Sequence, residues 1–180
     1  RLAAPGAAAD AVSLLAEGKA DLIIARGDML YDAYYGLDAR AGQPPLTNMA
    51  ALACLYPQAC QLIAAPGAGI ESVADLRGKA VGLGAAGSAE EAAALDILYA
   101  YGLGADDIKA HSLDWEQSAR ALADGRLDAC FFLSAPGDAA LMALAQAQDI
   151  NLVPLEQAEA DFLRRGYPFY SQYSLGPDRY

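Results

Sequence analysis

The sequence is poor in positive charge, in sulfur and in histidine. It carries 12 Lys and Arg against 23 Asp and Glu, for a formal net charge of −11. The basic residues are scattered, so there is no stripe to neutralise nucleic-acid phosphates, and an anionic membrane surface is disfavoured for the same reason. A small anionic solute stays open as a partner, because local backbone N–H groups bind one whatever the net charge. The three cysteines, Cys54, Cys60 and Cys130, form no CxxC pair, and the single histidine, His111, completes no zinc spacing. No metal or cofactor is expected. The cysteines read as buried small hydrophobes, with pairing of Cys54 and Cys60 across Pro57 as the alternative in an oxidising compartment. There is no G-x-S-x-G, no HExxH, no Walker lysine and no convincing pair of carboxylates, so catalysis is not expected. Long apolar runs are missing too. The most apolar stretch, Met49 to Ala65, is interrupted by Gln58 and Gln61 and broken by Pro57, which argues against direct membrane insertion. No signal peptide is present, and an opening at Arg1 without Met reads as a chain processed or excised from something longer.

What remains is an apolar, weakly charged chain of 180 residues, 55% hydrophobic and 19% charged. That suffices for one domain or two small lobes with a core. A helix is expected over Ala8 to Glu17, stopped by Gly18, then a buried strand over Asp21 to Ala25. A loop spans Ala39 to Pro45. Strands are expected over Ala50 to Leu55 and Cys60 to Ala65. Then come a short helix over Ile70 to Leu76 and strands at Ala80 to Leu83, Ile108 to Ser112, Asp128 to Leu133 and Asn151 to Leu155. Helices over Ser88 to Tyr101, Trp115 to Asp124, Asp138 to Gln146 and Gln157 to Arg165 alternate with them. The tail from Gly166, with tyrosines at 167, 170, 173 and 180, reads as irregular. Such alternation implies βαβ units and a parallel sheet, an α/β fold.

The stretch Gly82-Leu-Gly84-Ala-Ala-Gly87-Ser88 joins a strand to a helix. Such a junction aims several N–H groups at one spot, where the positive helix end favours an anion. Ser88-Ala-Glu-Glu91 also has the form of a capping box, which accounts for Ser88 without any ligand. Capping alone and capping with ligand binding both fit. Glu90 and Glu91 satisfy the helix dipole themselves and should repel a bound carboxylate unless they point outward. The same stretch matches G-x-G-x-x-G, with Asp106, Asp107 or Asp114 near the place of a ribose acid, so a nucleotide-dependent enzyme is the competing reading.

Weaker candidates lie elsewhere. Asp28 follows the first expected strand at the end where open α/β sheets place ligands, though it also fits an ordinary loop. Tyr56 lines a cleft or simply packs beside Pro57. Ser134-Ala-Pro136-Gly137 ends a strand and starts a helix, a second anion turn. Finally, Leu14-Leu-Ala-Glu-Gly-Lys-Ala-Asp-Leu-Ile-Ile24 is echoed by Ala121-Leu-Ala-Asp-Gly-Arg-Leu-Asp-Ala-Cys-Phe131. The echo reflects either ordinary loop chemistry or two similarly built lobes.

In order along the chain, Gly18-Lys-Ala-Asp-Leu-Ile-Ile24, Asp28, Tyr31-Asp-Ala-Tyr34, Ala51-Leu-Ala-Cys-Leu-Tyr-Pro57 and Ser72-Val-Ala-Asp-Leu-Arg-Gly-Lys79 form a set. The Gly84 to Ser88 turn, Asp124-Gly-Arg-Leu-Asp-Ala-Cys-Phe-Phe132, Ala135-Pro136 and Tyr167-Pro-Phe-Tyr170 complete it. Together they resemble solute receptors of the TAXI family of TRAP transporters. The resemblance implies a type II periplasmic-binding-protein fold of two α/β lobes. Here it covers part of a first lobe (1–64), a near-complete second lobe (65–156) and a segment (157–180) returning towards the first. It further implies a non-enzymatic bacterial periplasmic receptor that delivers a small organic acid or amino acid, such as a glutamate-like carboxylate, to a TRAP membrane permease. Asp28, Tyr56, Gly84, Gly87, Ser88 and Pro136 are the ligand-binding residues it suggests. Where the family usually has Gln-Ser-Asp this chain has Arg26-Gly-Asp28, and where it often has Gly-Ser-Gly-Thr it has Ala86-Gly-Ser-Ala89.

Overall fold

A computed structural model describes residues 8–37 and 44–176. Most of the expected loop at Ala39 to Pro45, and Tyr180, lie outside these residues. The chain forms two compact units that divide between Cys54 and Leu55.

Among the described residues of the first unit are the helices α1 (Ala8–Ala16) and α2 (Gly27–Tyr35). Gly18, in the left-handed region at φ 66°, ends α1, and Gly36 ends α2 in the same way. The run expected as a buried strand, Asp21 to Ala25, is not one. Leu22 is 50% and Ile24 73% exposed, and among the described residues no strand pairs with it. Ala50 to Leu55 forms no strand either, and Leu52 and Leu55 are exposed. Both runs have the apolar composition of strands but lack a ladder partner, which a strand needs to satisfy its backbone groups.

The second unit carries a five-stranded sheet. Its strands are β1 (Ala59–Ala64), β2 (Ala80–Gly82), β3 (Lys109–His111), β4 (Ala129–Ser134) and β5 (Asn151–Val153), in the order β3-β2-β4-β1-β5. The helices are α3 (Ala89–Ala100), α4 (Trp115–Ala123), α5 (Ala139–Ala147) and α6 (Gln157–Gly166). The helix expected over Ile70 to Leu76 is a single 3-10 turn, Val73–Leu76, capped by Ser72 and Asp75. The expected all-parallel sheet is mixed. β2 runs parallel to β3 and β4, but β1 is antiparallel to both β4 and β5. No crossover helix precedes β1. It enters from an extended segment at the end where β4 leaves, so that Ala59 faces Ser134. The strand that the sequence groups with the first lobe therefore hydrogen-bonds into the sheet of the second unit. α6, expected to return towards the first lobe, packs on α3.

Alternation along the strands splits the core into two layers. Leu62, Ala64, Val81, Ala129 and Phe131 face α3 and α6, where Ile97, Leu98 and Leu163 meet them. Ile63, Cys130 and Phe132 face the other way, onto Ala121, Leu122, Leu141 and Leu144 of α4 and α5. Central strands buried on both faces read as near-continuous apolar runs, which is why β1 and β4 stand out in the sequence. Gly82 permits a close approach between sheet and α4. A Cβ there would lie 3.0 Å from Ser118 Oγ and 3.1 Å from Cys130 Cβ.

Candidate functional site

The parallel strands end, the helices α3, α4 and α5 begin, and β1 enters on one rim of this sheet. In open α/β sheets that rim is where ligands bind. Two strand-to-helix turns dominate it.

The first turn follows β2. Gly84 adopts φ 108°, a conformation that favours glycine, and a Cβ there would lie 2.8 Å from Cβ and Cγ of Glu90. Ser88 is the N-cap of α3, and its Oγ accepts from Glu91 N–H at 3.1 Å. Only half of the expected capping box forms. Ser88 N–H donates to the Ala85 carbonyl at 2.9 Å. The Glu91 carboxylate instead accepts from Gly87 N–H at 2.6 Å and, through its other oxygen, from Ser112 Oγ at 3.1 Å. Glu90 reaches to β4 and accepts from Leu133 N–H at 2.9 Å. Neither glutamate points outward. Two of the chain's own carboxylates take up donors that a bound anion would use.

This arrangement also weighs against a dinucleotide at Gly82-x-Gly84-x-x-Gly87, because a pyrophosphate would meet both carboxylates. The acids suggested for a ribose have other work. Asp107 accepts from Gly104 N–H at 2.8 Å and pairs with Arg77, and these contacts, Gly104 first, hold its carboxyl below the ordinary range. Asp114 caps α4 by accepting from Gln117 N–H at 2.9 Å.

Burial pushes the Glu90 carboxyl above its ordinary value. The Leu133 N–H works against that shift and nearby Asp114 adds to it. Burial, aided by Glu90, pushes the Cys130 thiol up to about 12 and raises Cys60 as well. Both are therefore packing groups and not nucleophiles. Cys54 is exposed, contrary to expectation, and all three cysteines are free.

The second turn follows β4. Pro136 and Gly137 lead into Asp138, which caps α5 by accepting from Ala140 N–H at 2.8 Å. Beneath this turn lies a polar pair that sequence reasoning missed. Gln61, opposite Phe132 on β1, extends its Nε2 to Ser134 Oγ at 3.4 Å, and its Oε1 is buried without a partner. The available signal was a lone amide in an otherwise apolar strand, which reads only as an interruption of a hydrophobic run. On the same layer Trp115 stacks on Phe132, with ring centroids 3.8 Å apart.

The remaining candidates have other surroundings. Tyr56 is 61% exposed in the extended segment before β1. Asp28, in the first unit, accepts from Arg26 Nε at 3.0 Å and forms an ion pair with that guanidinium. The unexpected Arg26 is thus the partner of Asp28. His111 is exposed at the end of β3. Among the described residues no group of three His, Cys, Asp or Glu is placed to hold a metal, and no helix is long and apolar enough to cross a membrane.

Among solved structures, the chain is similar to the alkanesulfonate-binding protein SsuA from Xanthomonas axonopodis pv. citri bound to MOPS. Identity is 22%, coverage 82% of this chain and 47% of that one, and the TM-score 0.48. It is similar to the periplasmic aliphatic sulphonate binding protein SsuA from Escherichia coli, at 25% identity, 53% and 29% coverage and TM-score 0.47. It is also similar to a polar amino acid ABC uptake transporter substrate binding protein from Streptococcus thermophilus, at 22% identity, 54% and 37% coverage and TM-score 0.41. The chain spans less than half the length of each of these proteins. The α/β class expected from the sequence is the one observed, with a five-stranded sheet in the second unit. The NMT1-like family matches residues 2–180, and the chain belongs to that family.

Proposed function

We propose that this chain is part of an extracytoplasmic solute-binding receptor, with the unit Leu55–Tyr180 as one lobe and residues 1–54 contributing to the other. Its solute is a small organic acid or amino acid. It works in the bacterial periplasm and hands that solute to a membrane permease of the TRAP type, a partner supported by the ordered TAXI-like motifs. The observation that carries the reading is the rim itself. Strand ends and helix starts converge there with capped, polar turns, and the nearest thiols are protonated packing groups. Such a rim binds and does not turn over. Gly84, Gly87, Ser88 and Pro136 shape it, while Tyr56 and Asp28 are proposed as contributors from the segments before it.

The test is a thermal-shift screen against organic acids, amino acids and sulfonates. A ligand that binds only the folded state adds about 2.7 kcal/mol of stability at a hundredfold excess over its Kd. Stabilisation by a carboxylate-bearing compound is the expected outcome. A flat response across all three classes would overturn the reading, and saturable binding of NAD(P) would replace it with the nucleotide one.

A further inference from the structure

Among the described residues, the rim's N–H donors at Gly87, Leu133 and Ala140 are engaged, and Gln61 Oε1 is an acceptor to spare. Gln61 is 95% buried, counted from its 5% relative exposure. From its register opposite Phe132 the side chain runs on to Ser134, towards the end of β4 and the turn before α5. The direction of the amide is set by a short relay. Gln61 Nε2 donates to Ser134 Oγ, and the Ser134 hydroxyl donates to the Ala135 carbonyl at 3.4 Å. With that proton committed, Gln61 Oε1 is left buried beneath the turn without a donor among the described residues. A buried acceptor of this kind calls for a donor from outside the protein. Among the described residues, the other groups on this rim make no hydrogen bond to Gln61 Oε1. Glu90, Glu91 and Asp138 present carboxylates, and the N–H groups of Gly87, Leu133 and Ala140 are already engaged.

We propose that Gln61 and Ser134 form a subsite that receives a donor-bearing group of the solute, and that this group is the ammonium of an amino acid. The inference rests on the receptor reading and narrows its solute class. An acceptor-rich, acidic rim attracts a cation and repels a free carboxylate, so the solute meets this lobe with its amine end. The acid group is left to residues outside this rim.

The experiment is calorimetric titration of the full chain with matched pairs, L-glutamate against glutarate and taurine against ethanesulfonate. Wild type, Gln61→Met and Ser134→Ala are compared. Met fills a similar volume without polar atoms, and circular dichroism confirms that each variant is folded. The amine-bearing member of a pair should bind wild type at least roughly tenfold tighter, the effect of one well-made hydrogen bond to a charged donor. Gln61→Met should erase that ratio by weakening the amine-bearing member towards its des-amino partner, and Ser134→Ala should reduce it. Equal binding of both members to wild type would overturn the inference and leave the receptor reading standing. So would a ratio that survives Gln61→Met, since a buried water would then be satisfying Oε1. Absence of binding by every compound would overturn the inference together with the receptor reading.

Discussion

Two stretches of this chain share one local design and come to different ends. Near residue 18 and again near residue 125, a helix runs into a glycine, a basic residue and an aspartate, followed by apolar residues. The helix stops match bond for bond. Gly18 N–H donates to Leu15 and both Lys19 and Ala20 N–H to Leu14. Gly125 N–H donates to Leu122 and both Arg126 and Leu127 N–H to Ala121. Both glycines are left-handed, at φ 66° and 70°. Beyond the stop they part. Ala129–Ser134 becomes β4, with Ala129, Cys130 and Phe131 at 1% exposure or less. Asp21 to Ala25 stays irregular, with Leu22 and Ile24 exposed. A helix stop is a contract among seven consecutive residues. A strand is a contract with another part of the chain.

The comparison can be broken most forcefully in the apolar runs. Phe131→Ala should lose about 3–5 kcal/mol, because it empties a closed site between β1, α3 and α6. Ile24→Ala should stay within about 0.5 kcal/mol, as a substitution at an exposed side chain does. Urea midpoints of the two variants check this. A comparable loss at Ile24 would show that the first run is covered as β4 is.

Next in size is Gly84→Ala, since β4 owes part of its order to the turn beside it. The substitution forces a side chain into a left-handed conformation and sets it 2.8 Å from Glu90 Cβ. A loss of about 2 kcal/mol follows from the backbone strain and the displaced glutamate. Gly87→Ala, at φ 72° with open space around it, should lose about 1 kcal/mol from strain alone. Equal losses would mean that Glu90 yields freely and contributes nothing at this place.

The helix stops themselves sharpen the likeness. Gly18→Ala and Gly125→Ala meet no neighbour within 4 Å, so each should lose only the left-handed strain, about 1 kcal/mol. Thermal unfolding followed by circular dichroism should show similar shifts. A much larger effect at Gly125 would mean that the stop also sets the register of β4.

How much was legible follows from the same division. The helices α3 to α6 lie within a residue or two of their expected bounds, and the local instructions are clearest at Ser88, Asp114 and Asp138, which start α3, α4 and α5, and at Gly102 and Gly125, which follow α3 and α4. The strands β1, β2 and β4 were legible because their apolar runs are short and bounded by turns, whereas β3 (Lys109–His111) is exposed along its length and was placed by the alternation around it. The direction of β1 was not, because nothing in Ala59 to Ala64 records that β4 and β5 flank it. The turn at Gly84 to Ser88 was found, but its filling was not. Glu91 prefers Gly87 and Ser112 to the Ser88 N–H, and Ser112 is brought there by the sheet. Gln61 looked like a blemish in a strand, and only the register with β4 gives its amide a neighbour.

The smallest expected effect concerns the partner that β4 gains from outside the ladder. Beyond Gly82 the chain of β2 bonds to β3, with Leu83 N–H on the His111 carbonyl, and Leu133 N–H goes to Glu90. That carboxylate is partly desolvated, and its folded value is raised above the ordinary 4.5. A carboxyl with a raised folded value binds its proton more readily in the native state. Its contribution to stability therefore falls as pH rises from about 4.5 through the folded value. Glu90→Gln keeps an acceptor for Leu133 N–H and removes the titration. Variant and wild type should unfold alike in acid, and the variant should gain on wild type as pH climbs to neutral. Melting temperatures measured from pH 4 to 8 check this. A variant that loses ground with rising pH would mean that the charge strengthens the Leu133 bond by more than burial weakens the carboxylate, and β4 would then be held at its end by an ion as well as by its neighbours.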